Sequence, residues 1–321
     1  MNKCERIQAV LHGKPVDRTA LSFWWHYPAI DDRAELLAEA IVRDYRAYDL
    51  DFIKMMPSGM YSVEDWGCQV GNPDPVLGFK RLLAGPIHGP EDWRKITPRS
   101  PEQGARGREL RCLELVRQAE PEALILQTVF SPLTSAAKLA GRDLLLQHLR
   151  GSEPAVLSAL EAITRSEEAY IDACLERRGT GIFLATQFAG ENLLTEAEHQ
   201  RWCAPFEARL LARLRGRSEF SLLHLHGQNI FLDRFVRYSV PAFSWEDASL
   251  TMAEGRRRLP GIVVGGLDRA ELMADSPETV RTKTRALLQE MGAKRFILAP
   301  GCVMALQTPP ASLRAIRELV G

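Results

Sequence analysis

The sequence has no excess of charge of either sign. Its 321 residues include 41 lysines and arginines and 41 aspartates and glutamates, so the formal net charge is zero. Proteins that bind nucleic acid or an anionic membrane surface through electrostatics usually carry a clear basic surplus. We therefore expect neither nucleic acid nor a membrane among the partners of this chain.

Long hydrophobic runs and cysteine motifs are missing as well. No apolar stretch approaches the roughly 20 residues that a membrane-spanning helix needs. The first residues are charged and amphipathic and lack the apolar core of a signal peptide, so we expect a cytoplasmic protein. The six cysteines show no C-x-x-C spacing, which argues against a disulfide framework.

A glycine-rich nucleotide-binding fingerprint is also absent after the first predicted strand, which disfavours a doubly wound nucleotide-binding sheet. What the chain does have is a regular alternation of strand-like and helix-like segments. The eight predicted strands are 20–24, 51–55, 123–129, 181–186, 220–225, 242–246, 262–265 and 295–299. This alternation predicts an α/β fold, a single (β/α)8 (TIM) barrel domain over residues 1–321. We also predict an N-terminal helix, and an irregular insertion over residues 57–101, after the second strand, lying over the mouth of the barrel.

Two histidines and a distant cysteine follow strands whose carboxyl ends would meet at that mouth. His224 and His226 have the i, i+2 spacing that points both side chains to one side of a strand, and Cys302 follows the eighth strand. Imidazole and thiolate suit zinc, and three protein ligands leave one position open. Glu246 is placed to be a fourth ligand or to hydrogen-bond a ligating histidine. Two alternatives remain, namely histidines with purely structural roles and a catalytic Cys302 thiolate with a histidine base.

Other strand ends carry residues suited to bind or process a small molecule. Glu246 and Asp268 are candidates for catalytic proton transfer. The predicted substrate-binding residues are Trp24, Trp25, His26, Tyr27, Met55, Gln187 and Asn229. The four remaining histidines have no visible partner in the sequence, and we predict that they lie on the surface: His12, His88, His148 and His199.

Several segments, in order along the chain, resemble those of a known family. They are ERIQAVLHGKPVDRTAL, FSPLTSAAKLAG, HLHGQN, GGLD, and FILAPGC with the Thr-Pro that follows it. Together they resemble the uroporphyrinogen decarboxylase-like superfamily and, within it, the zinc-dependent, cobalamin-linked methyltransferases. This resemblance implies a (β/α)8 barrel with its site at the carboxyl ends of the strands, and it assigns the zinc ligands to His224, His226 and Cys302.

The chain departs from the family pattern at two places. True uroporphyrinogen decarboxylases carry an arginine-rich segment after the first strand that holds the substrate carboxylates. Here that segment reads SFWWHYPAID, with no arginine before Arg33, which argues for a smaller or less acidic ligand. In addition, His226 stands where the methyltransferases usually have cysteine. The metal site becomes one charge more positive, and copper, nickel or cobalt becomes an alternative to zinc.

The leading functional hypothesis is a zinc-dependent methyltransferase or demethylase component that activates a thiol-type or similar acceptor. The methyl donor would be a small methylated compound or a methylcorrinoid on a partner protein, because no B12-binding segment is recognisable in the chain. One alternative is a metal-free decarboxylase or lyase that acts on a small cyclic acid through Asp268, Glu246 or His26. Another is a non-catalytic protein that binds a tetrapyrrole or corrinoid. A homodimer is expected by analogy only.

Overall fold

Ten strands are present in the computed structural model, which describes residues 1–321. In chain order they are β1 (Ala20–Leu21), β2 (Ile53–Lys54), β3 (Gln69–Pro73), β4 (Lys80–Ala84), β5 (Ile125–Phe130), β6 (Gly181–Thr186), β7 (Leu222–Leu225), β8 (Ala242–Trp245), β9 (Ile262–Leu267) and β10 (Phe296–Pro300). Eight of them form one parallel sheet, and β3 and β4 form a separate antiparallel pair.

The parallel sheet has the strand order of a barrel. Its order is β1-β10-β9-β8-β7-β6-β5-β2, so neighbouring strands follow one another along the chain. The two end strands approach each other, because the backbone N–H of Asp51 donates to the carbonyl of Leu21 at 2.8 Å. The predicted α/β architecture is confirmed as a curled, TIM-barrel-like parallel sheet covered by helices.

Thirteen α-helices connect the strands and cover the sheet. They are α1 (Lys3–Leu11), α2 (Ala34–Ala47), α3 (Tyr61–Glu64), α4 (Gly104–Ala119), α5 (Pro132–Ala140), α6 (Arg142–Glu176), α7 (Glu196–Trp202), α8 (Ala204–Ala212), α9 (Leu232–Phe235), α10 (Met252–Arg258), α11 (Arg269–Ala274), α12 (Pro277–Met291) and α13 (Pro310–Val320). Ser131, Thr195 and Ser276 cap three of them by accepting backbone N–H groups, as their positions in the sequence predict.

Residues 57–101 are more regular than we predicted. They contain α3, the β3–β4 pair and a 3-10 helix at Pro90–Lys95. The loop between β3 and β4 reaches the barrel mouth, where the carbonyl of Val76 accepts the backbone N–H of Leu306 at 2.7 Å. Because the sequence is rich in Pro and Gly here, it did not predict the short hairpin of β3 and β4.

A buried ion cluster fixes the amino-terminal end of the barrel. Asp51 is fully buried and accepts hydrogen bonds from Arg6 at 2.6 Å, from Arg18 at 2.7 Å and from the backbone N–H of Leu21 at 2.8 Å. These contacts join α1, the turn before β1 and the start of β2. Arg18 therefore has a structural role in the opening segment, at the end of the barrel opposite the strand carboxyl ends.

Candidate metal centre at the barrel mouth

Three metal-ligating side chains converge at the carboxyl ends of β7 and β10. His224 lies within β7, His226 follows its last residue, and Cys302 follows β10. One ligand atom from each residue lies within 4.8 Å of those of the other two. The Sγ atom of Cys302 is 4.0 Å from Nδ1 of His226. The parallel strands thus bring together residues that are far apart in the sequence.

His224 is held in the state that a metal ligand requires. Its side chain is buried, and Nδ1 is hydrogen-bonded to the Oγ atom of Ser244 at 2.9 Å. The other ring nitrogen, Nε2, is buried without any hydrogen-bond partner. Burial, together with the neighbouring His226, lowers the pKa of His224 to about 3, so the imidazole is neutral. An unpaired, buried nitrogen on a neutral ring fits a metal ligand oriented by a hydrogen bond to its other nitrogen.

His226 forms an ion pair with Glu246, which follows β8. Nδ1 of His226 lies 2.7 Å from a carboxylate oxygen of Glu246, and Arg269 contacts the other oxygen. Burial lowers the pKa of His226, but the contacts with Cys302 and Glu246 outweigh it and raise the pKa to about 10. Burial acts to raise the pKa of Glu246, but the hydrogen bond to His226 prevails and lowers it to about 2. The carboxylate is therefore ionised and adds negative charge beside the three ligands.

A cavity of about 340 Å³ lies on the inner side of this centre. Aromatic and aliphatic side chains form much of its wall, including Trp24, Phe130 and Phe183. His224, His226 and Cys302 form one end of the cavity. This volume is at the lower end of the range for ligand pockets and suits a small molecule.

Two lysines in the cavity wall have no carboxylate partner. The ammonium of Lys54 is buried 4.3 Å from the ring centroid of Phe183 and 2.7 Å from Sδ of Met56. Lys138 lies 4.4 Å from the ring centroid of Phe130. Burial lowers the pKa of Lys54 to about 7 and that of Lys138 to about 8. Unpaired ammonium groups in an apolar wall are costly, and an anionic ligand would relieve that cost.

A second, more open groove of about 810 Å³ reaches the centre from the other side. It is lined by polar residues such as Asn229 and Asp247. Gln187, His226 and Arg269 line both this groove and the inner cavity. His226 therefore lies where the inner cavity and the more open groove meet, whereas His224 and Cys302 line the inner cavity alone.

The structure brings some of the predicted substrate-binding residues to these cavities. Trp24 and His26 line the inner cavity, Gln187 lines both, and Asn229 lines the open groove. Burial lowers the pKa of His26 to about 3, which leaves it a neutral imidazole.

The other predicted residues lie elsewhere. Trp25 packs edge-on against Tyr48, and the hydroxyl of Tyr27 donates to Asp44. Met55 is buried in the hydrophobic core, next in the chain to Met56, which lines the inner cavity. Asp268 is exposed and caps α11 by accepting the backbone N–H groups that follow it, outside both cavities.

Sequence reasoning missed Lys54, Lys138, Ser244 and Arg269. Lys54 gave a signal, because it is the one charged residue in the apolar segment FIKMM. The prediction that His148 and His199 lie on the surface was wrong. His148 is buried and accepts a hydrogen bond from Nε1 of Trp93 at 2.9 Å, and His199 is fully buried.

Comparison with known proteins agrees with the fold and identifies the family. The profile of the uroporphyrinogen decarboxylase (URO-D) family matches residues 2–321. The chain belongs to the uroporphyrinogen decarboxylase family. This confirms the resemblance predicted from the five segments, and it accounts for the barrel with its residues gathered at the strand carboxyl ends.

The chain is similar to curated proteins of two kinds, uroporphyrinogen decarboxylases and methyltransferases. The chain is 25% identical to the uroporphyrinogen decarboxylase of Synechococcus sp. (strain JA-3-3Ab), over 89% of this chain and 80% of that protein. It is 22% identical to the methylcobamide:CoM methyltransferase MtaA of Methanosarcina barkeri (strain Fusaro / DSM 804), over 97% of this chain and 95% of that protein. These relatives are enzymes of two different activities.

Solved structures show the same fold. A methyltransferase from Methanosarcina mazei matches with a TM-score of 0.82 at 18% identity, covering 99% of this chain and 98% of that one. A B12-independent methionine synthase from Shewanella sp. W3-18-1 matches with a TM-score of 0.58 at 12% identity, covering 95% of this chain and 94% of that one. No helix of this family member has the length and apolar character needed to cross a membrane.

Proposed function

We propose that this protein is a zinc-dependent methyltransferase that moves a methyl group onto a small, anionic thiol. The observation that carries the proposal is the convergence of His224, His226 and Cys302 at the inner cavity, with His226 also lining the open groove. The similarity to a methylcobamide:CoM methyltransferase over nearly the whole chain supports the same reaction class.

The two cavities suit two reactants. The acceptor would occupy the inner cavity, with its sulfur toward His224 and Cys302 and its anionic group toward Lys54 and Lys138. The methyl donor, a methylcorrinoid on a partner protein or a small methylated compound, would approach through the open groove beside His226. The sulfur attacks the methyl carbon, the thiol proton leaves to solvent, and the bond to the leaving group breaks with its electron pair on that group.

A zinc ion bound by His224, His226 and Cys302 would supply the Lewis acidity that lowers the pKa of the acceptor thiol. The residues around it have separate tasks. Ser244 orients His224 through Nδ1, and Glu246 orients His226. The aromatic wall of the inner cavity restricts access of water to the sulfur, which preserves its reactivity.

Glu246 also affects the charge of the site at His226, the histidine that stands where related methyltransferases usually have cysteine. Metal binding would release the proton that His226 carries in its ion pair with Glu246. Exchange of thiolate for the resulting neutral imidazole makes the site one charge more positive. The ionised carboxylate of Glu246, 2.7 Å from His226, partly restores the lost negative charge. Arg269 holds that carboxylate in place from its other oxygen. We therefore propose that the His226–Glu246 pair takes over the role of the usual cysteine.

The unpaired lysines also favour a second candidate function, a decarboxylase acting on a small cyclic acid. Lys54 and Lys138 provide positive charge in a cavity that lacks the arginine-rich segment of true uroporphyrinogen decarboxylases. In that function the anion would be the carboxylate that is lost, and Glu246 or His26 would serve proton transfer. The metal would then be dispensable for turnover.

Zinc binding and methyl transfer test the proposal together. The protein is stripped with a chelator, reloaded with zinc and assayed with methylcobalamin and mercaptopropionate, following the corrinoid absorbance and the thioether product. We expect activity that depends on zinc and is lost in His226→Ala and Cys302→Ala. The matched control is Cys4→Ala, which removes a half-buried thiol from α1 and should leave activity unchanged.

Three outcomes would overturn the proposal. Full transfer activity after complete removal of metal would exclude the metal-dependent reaction. Tight corrinoid binding with no turnover of any thiol would instead support a carrier protein. Metal-independent release of CO₂ from a cyclic acid would support the decarboxylase.

A further inference from the structure

His199, Cys203 and Glu207 form a second group of metal-ligating side chains, which we call the helical cluster. His199 lies in α7, Glu207 lies in α8, and Cys203 joins the two helices. Their spacing of four residues places all three on one helical face. One ligand atom from each lies within 4.8 Å of those of the other two, and each residue is at most 1% exposed.

The helical cluster contains buried polar atoms without partners. Neither ring nitrogen of His199 has a hydrogen-bond partner. The carboxylate of Glu207 has the side chains of Thr186 and Tyr238 as polar neighbours, and one of its oxygens has no hydrogen bond of normal geometry. The other oxygen of Glu207 accepts the hydroxyl of Tyr238 at 2.8 Å and lies 4.0 Å from Nε2 of His199. Buried polar groups are nearly always paired, so several unpaired atoms around one small space suit a cation as their common partner.

Aromatic side chains pack against the imidazole of His199 but give its ring nitrogens no hydrogen-bond partner. Its ring centroid lies 5.2 Å from that of Phe235 and 5.7 Å from that of Phe231. The neighbouring cation, Arg234, is paired with Glu196 at 3.0 Å and does not neutralise Glu207 through a salt bridge. The aromatic rings orient the histidine toward Cys203 and Glu207 but offer its nitrogens no acceptor or donor.

We propose that His199, Cys203 and Glu207 bind a second divalent transition-metal ion, with zinc as the preferred one. Imidazole nitrogen, thiolate sulfur and carboxylate oxygen are the three kinds of ligand that zinc takes from proteins. Binding releases the Cys203 proton to solvent, and the thiolate and the Glu207 carboxylate then balance the two positive charges of the ion. The ion and its two anionic ligands together carry no net charge. Such a neutral group is less costly to bury than an ionised carboxylate without a partner.

The helical cluster lies beside a groove of about 680 Å³ on the outer side of the barrel, which is lined by His199 and Tyr238. The hydrogen bond from Tyr238 orients Glu207 as hydrogen bonds to metal ligands commonly do.

The role we assign to this ion is structural. It would fasten α7 to α8 across Cys203 and, through Tyr238, to the segment after α9. The inference is independent of the proposed methyl transfer, because no residue is shared between the helical cluster and the barrel-mouth centre.

Zinc stoichiometry tests the inference. The protein is stripped, reloaded with zinc and desalted, and zinc per chain is measured by mass spectrometry for the wild type, Cys302→Ala, Cys203→Ala and the double variant. We expect two equivalents, one, one and none, respectively. The matched control is Cys174→Ala, which removes a buried thiol from α6 and should retain two equivalents.

The outcomes separate this inference from the proposed function. One equivalent that is lost in Cys302→Ala but kept in Cys203→Ala would overturn the second site and leave the barrel-mouth centre standing. One equivalent with the opposite dependence would support the second site and remove the first. Zinc that persists in the double variant would be bound elsewhere and would overturn the assignment.

A stability measurement covers the case in which Cys203→Ala folds poorly. In the Cys302→Ala background, zinc added to the stripped protein should raise the melting temperature. The rise should disappear in Glu207→Gln, which keeps the shape of the side chain but weakens it as a ligand. An equal rise in both proteins would contradict a structural ion at the helical cluster.

Discussion

Lys54 offers the sharpest test of how the inner cavity selects its ligand. Its ammonium is buried beside Phe183 and Met56 and has no carboxylate partner. The substitution Lys54→Met keeps the length and the apolar stem of the side chain and removes only the charge. We expect the variant to fold normally, because the change removes a buried charge and no salt bridge.

The expected effect on binding follows from the strength of a charged hydrogen bond. Such bonds contribute about 1.5 to 3 kcal/mol when their partner is available. Because each 1.4 kcal/mol corresponds to a factor of ten, Lys54→Met should weaken binding of an anionic ligand by roughly 10- to 150-fold. A neutral ligand of the same shape should bind both proteins with nearly equal affinity.

The assay compares two thioethers, methylthiopropionate and methylthiopropanol, by isothermal titration calorimetry on the metal-free protein. These products carry no thiol proton, so their pH dependence reports on the protein. The pKa of the free Lys54 is about 7. Below that pH the ammonium is already charged, whereas above it the anion must draw a proton onto the lysine. The dissociation constant of the anion should therefore rise by up to about tenfold per pH unit above pH 7 in the wild type.

Two results would refute this reasoning. An equal loss of affinity for both thioethers in Lys54→Met would indicate a change of cavity shape and not of charge. An unchanged pH dependence in the variant would assign the titration to another group. The matched control is Lys95→Met. Lys95 is an exposed lysine that pairs with Asp92 and does not line the cavity.

Three further predictions concern the metal site and the stability of the barrel. Ser244→Ala should weaken zinc binding by roughly 10- to 100-fold, because His224 loses the hydrogen bond that orients it, and competition with a chromogenic chelator measures this; an unchanged affinity would contradict the role of Ser244. Burial raises the pKa of Glu109 to about 8, so the folded state holds a proton that the unfolded state loses above about pH 4.5. The free energy of unfolding of the wild type, relative to that of Glu109→Gln, should therefore fall by up to about 1.4 kcal/mol per pH unit between about pH 4.5 and pH 8. Urea titrations at several pH values measure this, and a difference between the two proteins that does not change with pH would contradict it. Glu167→Ala removes the nearest carboxylate, 2.6 Å away, from the fully buried guanidinium of Arg106 and leaves only Asp65, at 3.8 Å, to pair with it. Urea denaturation should show a loss of about 3 kcal/mol, and a loss below about 1 kcal/mol would contradict a buried pair.

The amino-acid sequence by itself determined the family and the main elements of the barrel. Strand and helix periodicity depends on neighbouring residues, so the eight parallel strands were predictable, although β1 and β2 are shorter than expected. The convergence of His224, His226 and Cys302 was predictable for the same reason, because parallel strands carry their carboxyl ends to one side of the sheet.

Only the tertiary structure decided which side chains enter the cavities. Trp24 lines the inner cavity while Trp25 packs against Tyr48. Both residues lie in the irregular segment after β1, where strand alternation does not fix the direction of a side chain. The same limit hid Lys54, which lies in an apolar segment yet reaches the ligand cavity.

The sequence also did not predict burial that depends on contacts with distant parts of the chain. His199 looks like a surface histidine on an amphipathic helix, but Phe231 and Phe235 cover it from another part of the chain. Its meeting with Cys203 and Glu207 requires α7 and α8 to continue along one helical path through Cys203. Sequence patterns report the periodicity of an element, whereas the exposure of a side chain depends on what the remainder of the fold packs against it.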